Sequence, residues 1–561
     1  MDRVPSTLTS ALKATKAAAV SLLVVLSLAA CSVAPANGNG DTTITTEREC
    51  IRVTGGTANV DTGSIAGDAM SLSGEVFICS DDVVIVSPND LNQVMAGAQL
   101  AAALRAPVLF PDPRLAAELG RLRPRTLHVV GAFEVSTPPG ARVERYTVVE
   151  AVTKTGEVLG TTERVVTGPT LDTEDLVAIV EAIDTGARVV GPDAEPPAGA
   201  TPAIDPQALV NGLAAREIDE KLWLVDASDP VTLLFASASV HAVAATVIAL
   251  DGTDLLGNPA LVETLSGRDP TTIRYVGGIP DAAEWEINAL ARGEQLPGGG
   301  FHILTPDAPR RYVAFYGHPT APALGALGQQ DGPAGTLERM QPFLEAYTGD
   351  GHKVIPTFEM IASVASAGPG EDGDYSTEWP PDTYLAWIDF AAENNMYVVL
   401  DLQSGRSDFL SQAQYYEELL MRPNVGLALD PEWRLTDTQV HLQQIGSTSA
   451  AEVNQVVHWL GDLVRDNGLP QKMLIVHQFR HSMIRDRETL ESRPELQMII
   501  QMDGEGAEHL KDSTWNAITK GTENAHWSWG WKNFFVRDEG GPPSPESTMS
   551  KVPTPVFISY Q

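Results

Sequence analysis

Cysteine is scarce in this chain: its 561 residues hold three. A dense disulfide scaffold is excluded, so the fold must rest on apolar cores. Basic residues are also few, 38 Lys and Arg against 73 Asp and Glu, giving a net charge of −35. So acidic a chain is a poor partner for nucleic acid or for a basic patch on anionic lipid, because both need a positive field. Missing too are the short motifs of nucleotide and zinc chemistry. Gly131 and Gly277-Gly278 follow strand-like runs but stand in neither a GxGxxG nor a phosphate-loop frame, and no HExxH or HxH occurs. No nucleotide, cofactor or metal is assigned. After residue 30 no apolar run is long enough to cross a bilayer, which takes about 20 residues.

What is present begins with an address. Arg3, Lys13 and Lys16 precede an apolar run, Ala17 to Leu28, broken only by Ser21 and Ser27. The run is too short to span a membrane and has the length of a signal-peptide core. It ends in Leu28-Ala29-Ala30-Cys31, which resembles a bacterial lipobox. The resemblance implies cleavage before Cys31 and acylation (palmitate) of that cysteine. Residues 1–30 then form the signal peptide. Residues 31–46, rich in Ala, Pro, Gly, Asn and Thr, form a flexible tether. Cleavage removes Arg3, Lys13 and Lys16 with Asp2, a net +2, and takes the mature charge from −35 to −37. The expected location is the extracytoplasmic face of the cell membrane, with the membrane as partner through the lipid. Lipidation of Cys31 leaves Cys50 and Cys79, which can oxidise outside the cytoplasm. A disulfide between them is expected, closing a loop near the start of the folded region.

The next 250 residues alternate short apolar runs with helical stretches. Val83–Val86, Pro107–Phe110 and Leu127–Val130 read as strands, with Leu91–Leu104 and Arg114–Leu122 as helices between them. The pattern returns with Leu222–Asp226, a helix from Val231 to Ala245, then Thr246–Leu250 and Ile273–Gly277. Continuous apolar strands alternating with helices indicate parallel sheets covered on both faces. Two Rossmann-like α/β units are expected, residues 47–150 and 151–308. The first resembles cell-wall-binding repeat family 2 of Gram-positive surface proteins. The likeness rests on Arg52 with Gly55-Gly56, the strand at Val83–Val86, Leu100-Ala101-Ala102 followed by Ala106-Pro107-Val108-Leu109, and Val129-Val130-Gly131. It implies an α/β fold and, because such modules assemble to bind anionic wall polymer, a cell-wall polymer or glycan as partner.

From residue 309 onward Trp, Tyr and His become frequent. Eight strand candidates follow: Tyr312–Gly317, Val354–Glu359, Tyr397–Asp401, Val425–Asp430, Met473–His477, Gln497–Asp503, His526–Trp531 and Pro555–Tyr560. Helical patterns separate most of them, and the stretch has the length typical of a (β/α)8 TIM barrel, about 250 residues. In such barrels reacting groups sit at the carboxyl ends of strands. His318 follows strand one, and Glu359, Asp401, Asp430, His477 and Asp503 end strands two to six. Glu432 lies two residues past Asp430, with Trp433 beside it, and Trp527, Trp529 and Trp531 lie around strand seven. Acids at strand ends also cap helices, but six such residues converging on one mouth suggest hydrolysis. Carboxylate pairs divide the work of acid and nucleophile, and aromatic rings stack on sugars. Tyr415, Tyr416 and Trp387 fall at helical positions and read as core.

The expected function is an envelope-glycan hydrolase of glycosidase type on a lipid-anchored surface protein. Glu432 is the expected proton donor and Asp401 or Asp430 its partner. The substrate-binding set is His318, Trp433, Trp527, Trp529 and Trp531. The alternatives are a non-catalytic wall-associated or ligand-binding lipoprotein, and a metal-dependent phosphodiester or ester hydrolase. No glycosidase family fits. Strand seven offers His526, Lys532 and tryptophans but no carboxylate, and a DxxDxDxE run is absent. Acids tied up in buried ion pairs would count against both hydrolase readings.

Overall fold

The computed structural model describes Cys50–Gln561 apart from residues 52–55, 169, 198–201, 214–220, 251–254, 257–261, 263–264, 269–271, 278–281 and 306–308. The signal segment, the tether and Cys31 lie outside the described residues. Among the described residues no helix is long and apolar enough to cross a membrane. The architecture is mixed α/β with parallel sheets and a closed, all-parallel eight-stranded barrel.

In the N-terminal half, Val83–Val86 are wholly buried. Their branched side chains suit a pleated strand packed on both faces. This strand, Asp82–Val86, lies between Val108–Leu109 and Thr126–Val130, and Arg142–Tyr146 completes a parallel four-stranded sheet. Helix Leu91–Leu104 covers it, and Asp90 caps that helix by accepting from the N–H groups of Asn92 and Gln93. Within this Ala-rich helix the Gln99 amide donates to the Val190 carbonyl and accepts from the Val190 N–H, both at 2.8 Å. One buried polar side chain thereby ties the helix to the strand Val189–Gly191. Cys50 and Cys79 form the expected disulfide.

The second sheet has the order Gly56–Val60, Thr272–Val276, Lys221–Asp226, Thr246–Leu250, again all parallel. The first strand of the described chain therefore pairs with a strand some 200 residues later. The two α/β units expected as successive segments are interleaved. Local patterning reveals a strand but not a distant partner, and parallel pairing always runs through a long crossover. Helix Ala283–Arg292 then leads to the barrel, with Trp285 Nε1 donating to the Leu469 carbonyl at 2.7 Å.

The barrel strands are Arg310–Gly317, Lys353–Ala365, Tyr397–Leu402, Val425–Leu429, Lys472–His477, Leu496–Met502, Ser528–Asn533 and Phe557–Tyr560. Each pairs in parallel with the next, and the first with the last, Tyr312 lying opposite Phe557. A short antiparallel strand, Ser376–Glu378, extends the second one. Strand seven begins two residues later than its sequence suggests. Inside, Tyr312, Ala314, Ile355, Tyr397, Val399, Ala428, Met473, Ile475, Ile499 and Phe557 pack one core, with Leu296 and Ile303 against it. Gly426 makes room there: a Cβ would stand 2.9 Å from the Tyr397 hydroxyl. Tyr416 and Trp387 are core as expected, whereas Tyr415 is 48% exposed.

Candidate active site

Strand side chains alternate, so residues of one parity on each barrel strand face the interior. Following the apolar interior toward the carboxyl ends brings in Tyr316 from strand one, Glu359 from two and Asp401 from three. Asp430 follows four, His477 ends five, Asp503 follows six and Lys532 comes from seven. All seven are buried. The sequence therefore builds an ionisable layer directly on the apolar one by continuing the same alternation.

His477 sits at the centre. Its Nε2 lies 3.1 Å from Glu359 Oε1, and its Nδ1 lies 3.3 Å from Asp503 and 3.6 Å from Asp430. The two contacts at Nδ1 are ion contacts rather than linear hydrogen bonds. Burial alone pushes the ring toward neutrality, but the attraction of Asp401, Asp430, Asp503 and Glu359 outweighs it and holds His477 well above the usual histidine range. Lys532 is the second buried cation, its Nζ 3.4 Å from the centre of the Tyr316 ring. Tyr316 donates to Asp401 Oδ2 at 2.7 Å and accepts from Gln403 Nε2 at 3.1 Å. Burial, then the charges of Asp401 and Asp430, hold the Tyr316 hydroxyl protonated.

Glu432 arrives on a tight turn, Pro431–Trp433. The Asp430 carboxylate accepts the Glu432 N–H at 3.3 Å, and Gly446 N–H donates to the Glu432 carbonyl at 2.7 Å. Gly446 is needed there, since a Cβ would meet the Pro431 and Glu432 carbonyls at 2.7 and 2.6 Å. Arg434, paired with Glu452 at 2.7 Å, anchors the turn to helix Ala450–Asp466. One oxygen each of Asp430, Glu432 and Asp503 lie within 4.8 Å of one another, and donor atoms of Asp401, Asp430 and His477 do likewise. Burial, reinforced by Asp430 and Asp503, pushes the Glu432 carboxyl up to about 9. Burial, opposed by His477 and reinforced by Asp430, pushes Asp401 up to about 7. Glu359 Oε2, Asp401 Oδ1 and Asp503 Oδ1 have no hydrogen-bond partner among the described residues. Buried acceptors left without donors are uncommon in folded proteins and mark a place where a ligand or water belongs.

The six expected catalytic residues therefore meet, but three of the expected binding residues lie elsewhere. Trp529 and Trp531 are buried on the outer face, edge-on to Trp515 of helix Glu508–Thr519 at 5.6 and 5.5 Å. Alternation puts Gly530 and Lys532 inside instead. Trp527 precedes the strand, at the end opposite the mouth, under the Arg487 guanidinium. His318 is wholly buried and its Nδ1 accepts from the Thr320 N–H at 3.2 Å. Burial pushes it down to about 4. It is a neutral histidine fixing a turn, not a sugar contact. Trp433 stays beside Glu432, half-buried, with its ring 5.2 Å from His441. Tyr316, Gln403, Gln501 and Ser559 are absent from the expected set, and Lys532 enters it only as what strand seven offers in place of a carboxylate. Gln501, which donates to Ser559 at 2.6 Å, and Lys532 share the interior parity that would have found them.

No family model and no curated protein matches the chain. Membership of the repeat family therefore stays a resemblance. Among solved structures, two cell-wall proteins of Clostridium difficile are similar. Cwp8 aligns at 14% identity with a TM-score of 0.35, over 43% of this chain and 52% of that one. Cwp6 aligns at 13% with a TM-score of 0.34, over 65% of each chain. The chain thus spans less than two thirds of either protein. Likenesses this slight leave the chemistry to be read from the site itself.

Proposed function

We propose that the barrel hydrolyses a glycosidic bond in the cell envelope, on a protein held to the membrane by a lipid on Cys31. The observation that carries the reading is the Glu432 carboxyl. One of its oxygens stands within 4.8 Å of an oxygen of Asp430 and of Asp503, and burial together with those two charges favours its protonated form. A protonated acid beside a carboxylate is the division of labour that glycoside cleavage needs, and carboxyl groups about 5–5.5 Å apart suit a retaining enzyme. Glu432 donates its proton to the leaving oxygen. Asp430, Asp503 and Glu359 all face His477, and that ion pairing counts against them as free acids. Asp503 takes the role of nucleophile because its Oδ1 is unpartnered, whereas Asp430 also accepts the Glu432 N–H. Asp401, which accepts from Tyr316, is raised to about 7 and carries only part of a negative charge at neutral pH. Glu359 is paired with His477 and leaves the list of acids that act directly. The anchor is supported by the lipobox-like run and by the use of the remaining two cysteines in a disulfide.

The test is incubation of the mature protein with a panel of envelope glycans. Wild type should cleave at least one with retention of configuration, and Glu432→Gln and Asp503→Asn should each lose about 10²–10⁴-fold in rate. Cleavage by Glu432→Gln at the wild-type rate would remove the assignment. The close approach of Asp401, Asp430 and His477 favours a second reading, a divalent cation serving ester or phosphodiester hydrolysis. Activity abolished by chelator and restored by one cation would select it. For the anchor, Cys31→Ser should move the protein from the membrane to the soluble fraction.

A further inference from the structure

The N-terminal sheet carries a cavity that the barrel chemistry does not use. Its strand order is Val108–Leu109, Asp82–Val86, Thr126–Val130, Arg142–Tyr146. After Asp82–Val86 the chain crosses first to one side, then back to the other at Thr126–Val130. Such a reversal opens a crevice at the carboxyl ends of the two central strands, where open α/β sheets bind ligands. A cavity of about 440 Å³ occupies that position, lined by Asp90, Asn92 and Gln93 after one central strand and Gly131 after the other. Tyr146 and Glu195 close its flank. The volume lies within the range of small-molecule sites.

The lining is chemically one-sided. Helices Leu91–Leu104 and Val148–Leu159 both begin here, and such N-termini ordinarily attract anions. The chain's own carboxylates already fill them. Asp90 accepts from Asn92 and Gln93 at 3.1 and 3.2 Å, and Glu195 from Val148 and Val149 at 3.2 and 2.8 Å. Arg145 donates to the Phe133 carbonyl at 2.6 Å and lies 3.6 Å from Glu134. An incoming anion meets occupied donors and surplus negative charge. Acceptors, in contrast, are in excess. Asn92 is 7% exposed, and its Oδ1 has no hydrogen-bond partner among the described residues. The same holds for Gln93 Oε1, whose amide nitrogen is fixed on Asp90 at 2.9 Å. Gly131 seats that oxygen, since a Cβ there would stand 2.3 Å from it. A buried acceptor lacking a donor is costly until a ligand supplies one.

We infer that this crevice is a second ligand site, taking a small amine-bearing polyol of the amino-sugar class. Its ammonium group lies among Asp90 and Glu195, and its N–H and O–H groups donate to Asn92 Oδ1 and Gln93 Oε1. Calorimetric titration of the mature chain with glucosamine, glucose and glucose 6-phosphate tests this. Glucosamine should bind at least about ten-fold more tightly than glucose, as expected for a charge-assisted hydrogen bond. Glucose 6-phosphate should bind most weakly. Asn92→Ala and Gln93→Leu should each weaken glucosamine about ten-fold without changing the melting temperature. If Asn92→Ala does not fold, Gln93→Leu carries the test from a less buried position. Glucosamine affinity that the folded variants leave unchanged puts the amine elsewhere, for instance at the acidic barrel mouth, and overturns the inference. Preference for the phosphate, or no binding of glucosamine, overturns it too.

Discussion

The two layers of the barrel interior differ by one step along each strand. In the lower layer Ala314, Val399, Ala428 and Ile475 pack as an ordinary apolar core. In the upper layer the next inward residues on those strands are Tyr316, Asp401, Asp430 and His477, all buried and mutually charged or bonded. The same backbone and the same parity thus carry packing in one layer and chemistry in the other. Burial gives the lower layer its stability through removal from water. In the upper layer burial disfavours every charge, and the central His477, with Lys532 beside Tyr316, makes the crowd of carboxylates tolerable. The lower layer should therefore respond to lost volume and the upper to lost charge.

The largest expected effect comes from His477→Ala. It leaves Glu359, Asp430 and Asp503 buried without their shared cation, and about 3–5 kcal/mol of stability should be lost at neutral pH, read by urea unfolding. Acidification should restore much of that loss by neutralising the carboxylates. In the lower layer Phe557→Ala should cost about 3 kcal/mol through the cavity it opens, with no dependence on pH. If the two losses respond alike to pH, the distinction between the layers fails.

Legibility in the sequence follows the same division. Six of the eight strands begin and end close to the expected residues, most of them continuous apolar runs closed by an acid, a histidine or a glycine, whereas strand two runs six residues past the expected Glu359 to Ala365. Strand seven, Ser528–Asn533, was displaced by two because tryptophans at every second position imitate an inward-facing face. Its inward residues are Gly530 and Lys532, and lysine inside a barrel contradicts the usual exposure of that residue. The convergence on His477 was partly legible, since strand ends were known to meet, but its central place depends on lateral distances. Pairing of Gly56–Val60 with Thr272–Val276 left no local trace at all. The Asn92 and Gln93 acceptors look like ordinary helix-start residues until the strand order is known.

Glu432→Gln sharpens the comparison at smaller amplitude. Glu432 has a folded-state value near 9 against an ordinary 4.5. The folded protein therefore holds its proton where the unfolded chain releases it, and stability from this group is full below about 4.5 and lost as pH rises through 9. The glutamine variant cannot ionise and should escape that loss, becoming more stable than wild type by roughly 2 kcal/mol at pH 6, read by thermal melts across pH. Equal pH slopes in the two proteins would mean that Glu432 is ionised in the fold, and the proton-donor role would go with it.

The smallest expected effect is that of Tyr316→Phe, which keeps the ring under Lys532 and removes only the hydroxyl that donates to Asp401. The Asp401 carboxyl, already raised to about 7 by burial, loses its donor and should rise further. At pH 5 Asp401 is protonated in the folded state of both proteins, so the difference between them is small. Above pH 7 wild type ionises with the Tyr316 bond in place and the variant without it, so a deficit of about 1 kcal/mol should open as pH rises. The titration of Asp401 followed by carboxyl-carbon NMR should move to higher pH in the variant while that of Glu432 stays put. A variant whose stability deficit is the same at pH 5 and pH 8 would show that the hydroxyl serves packing alone, and that the upper layer begins one residue higher than the interior alternation places it.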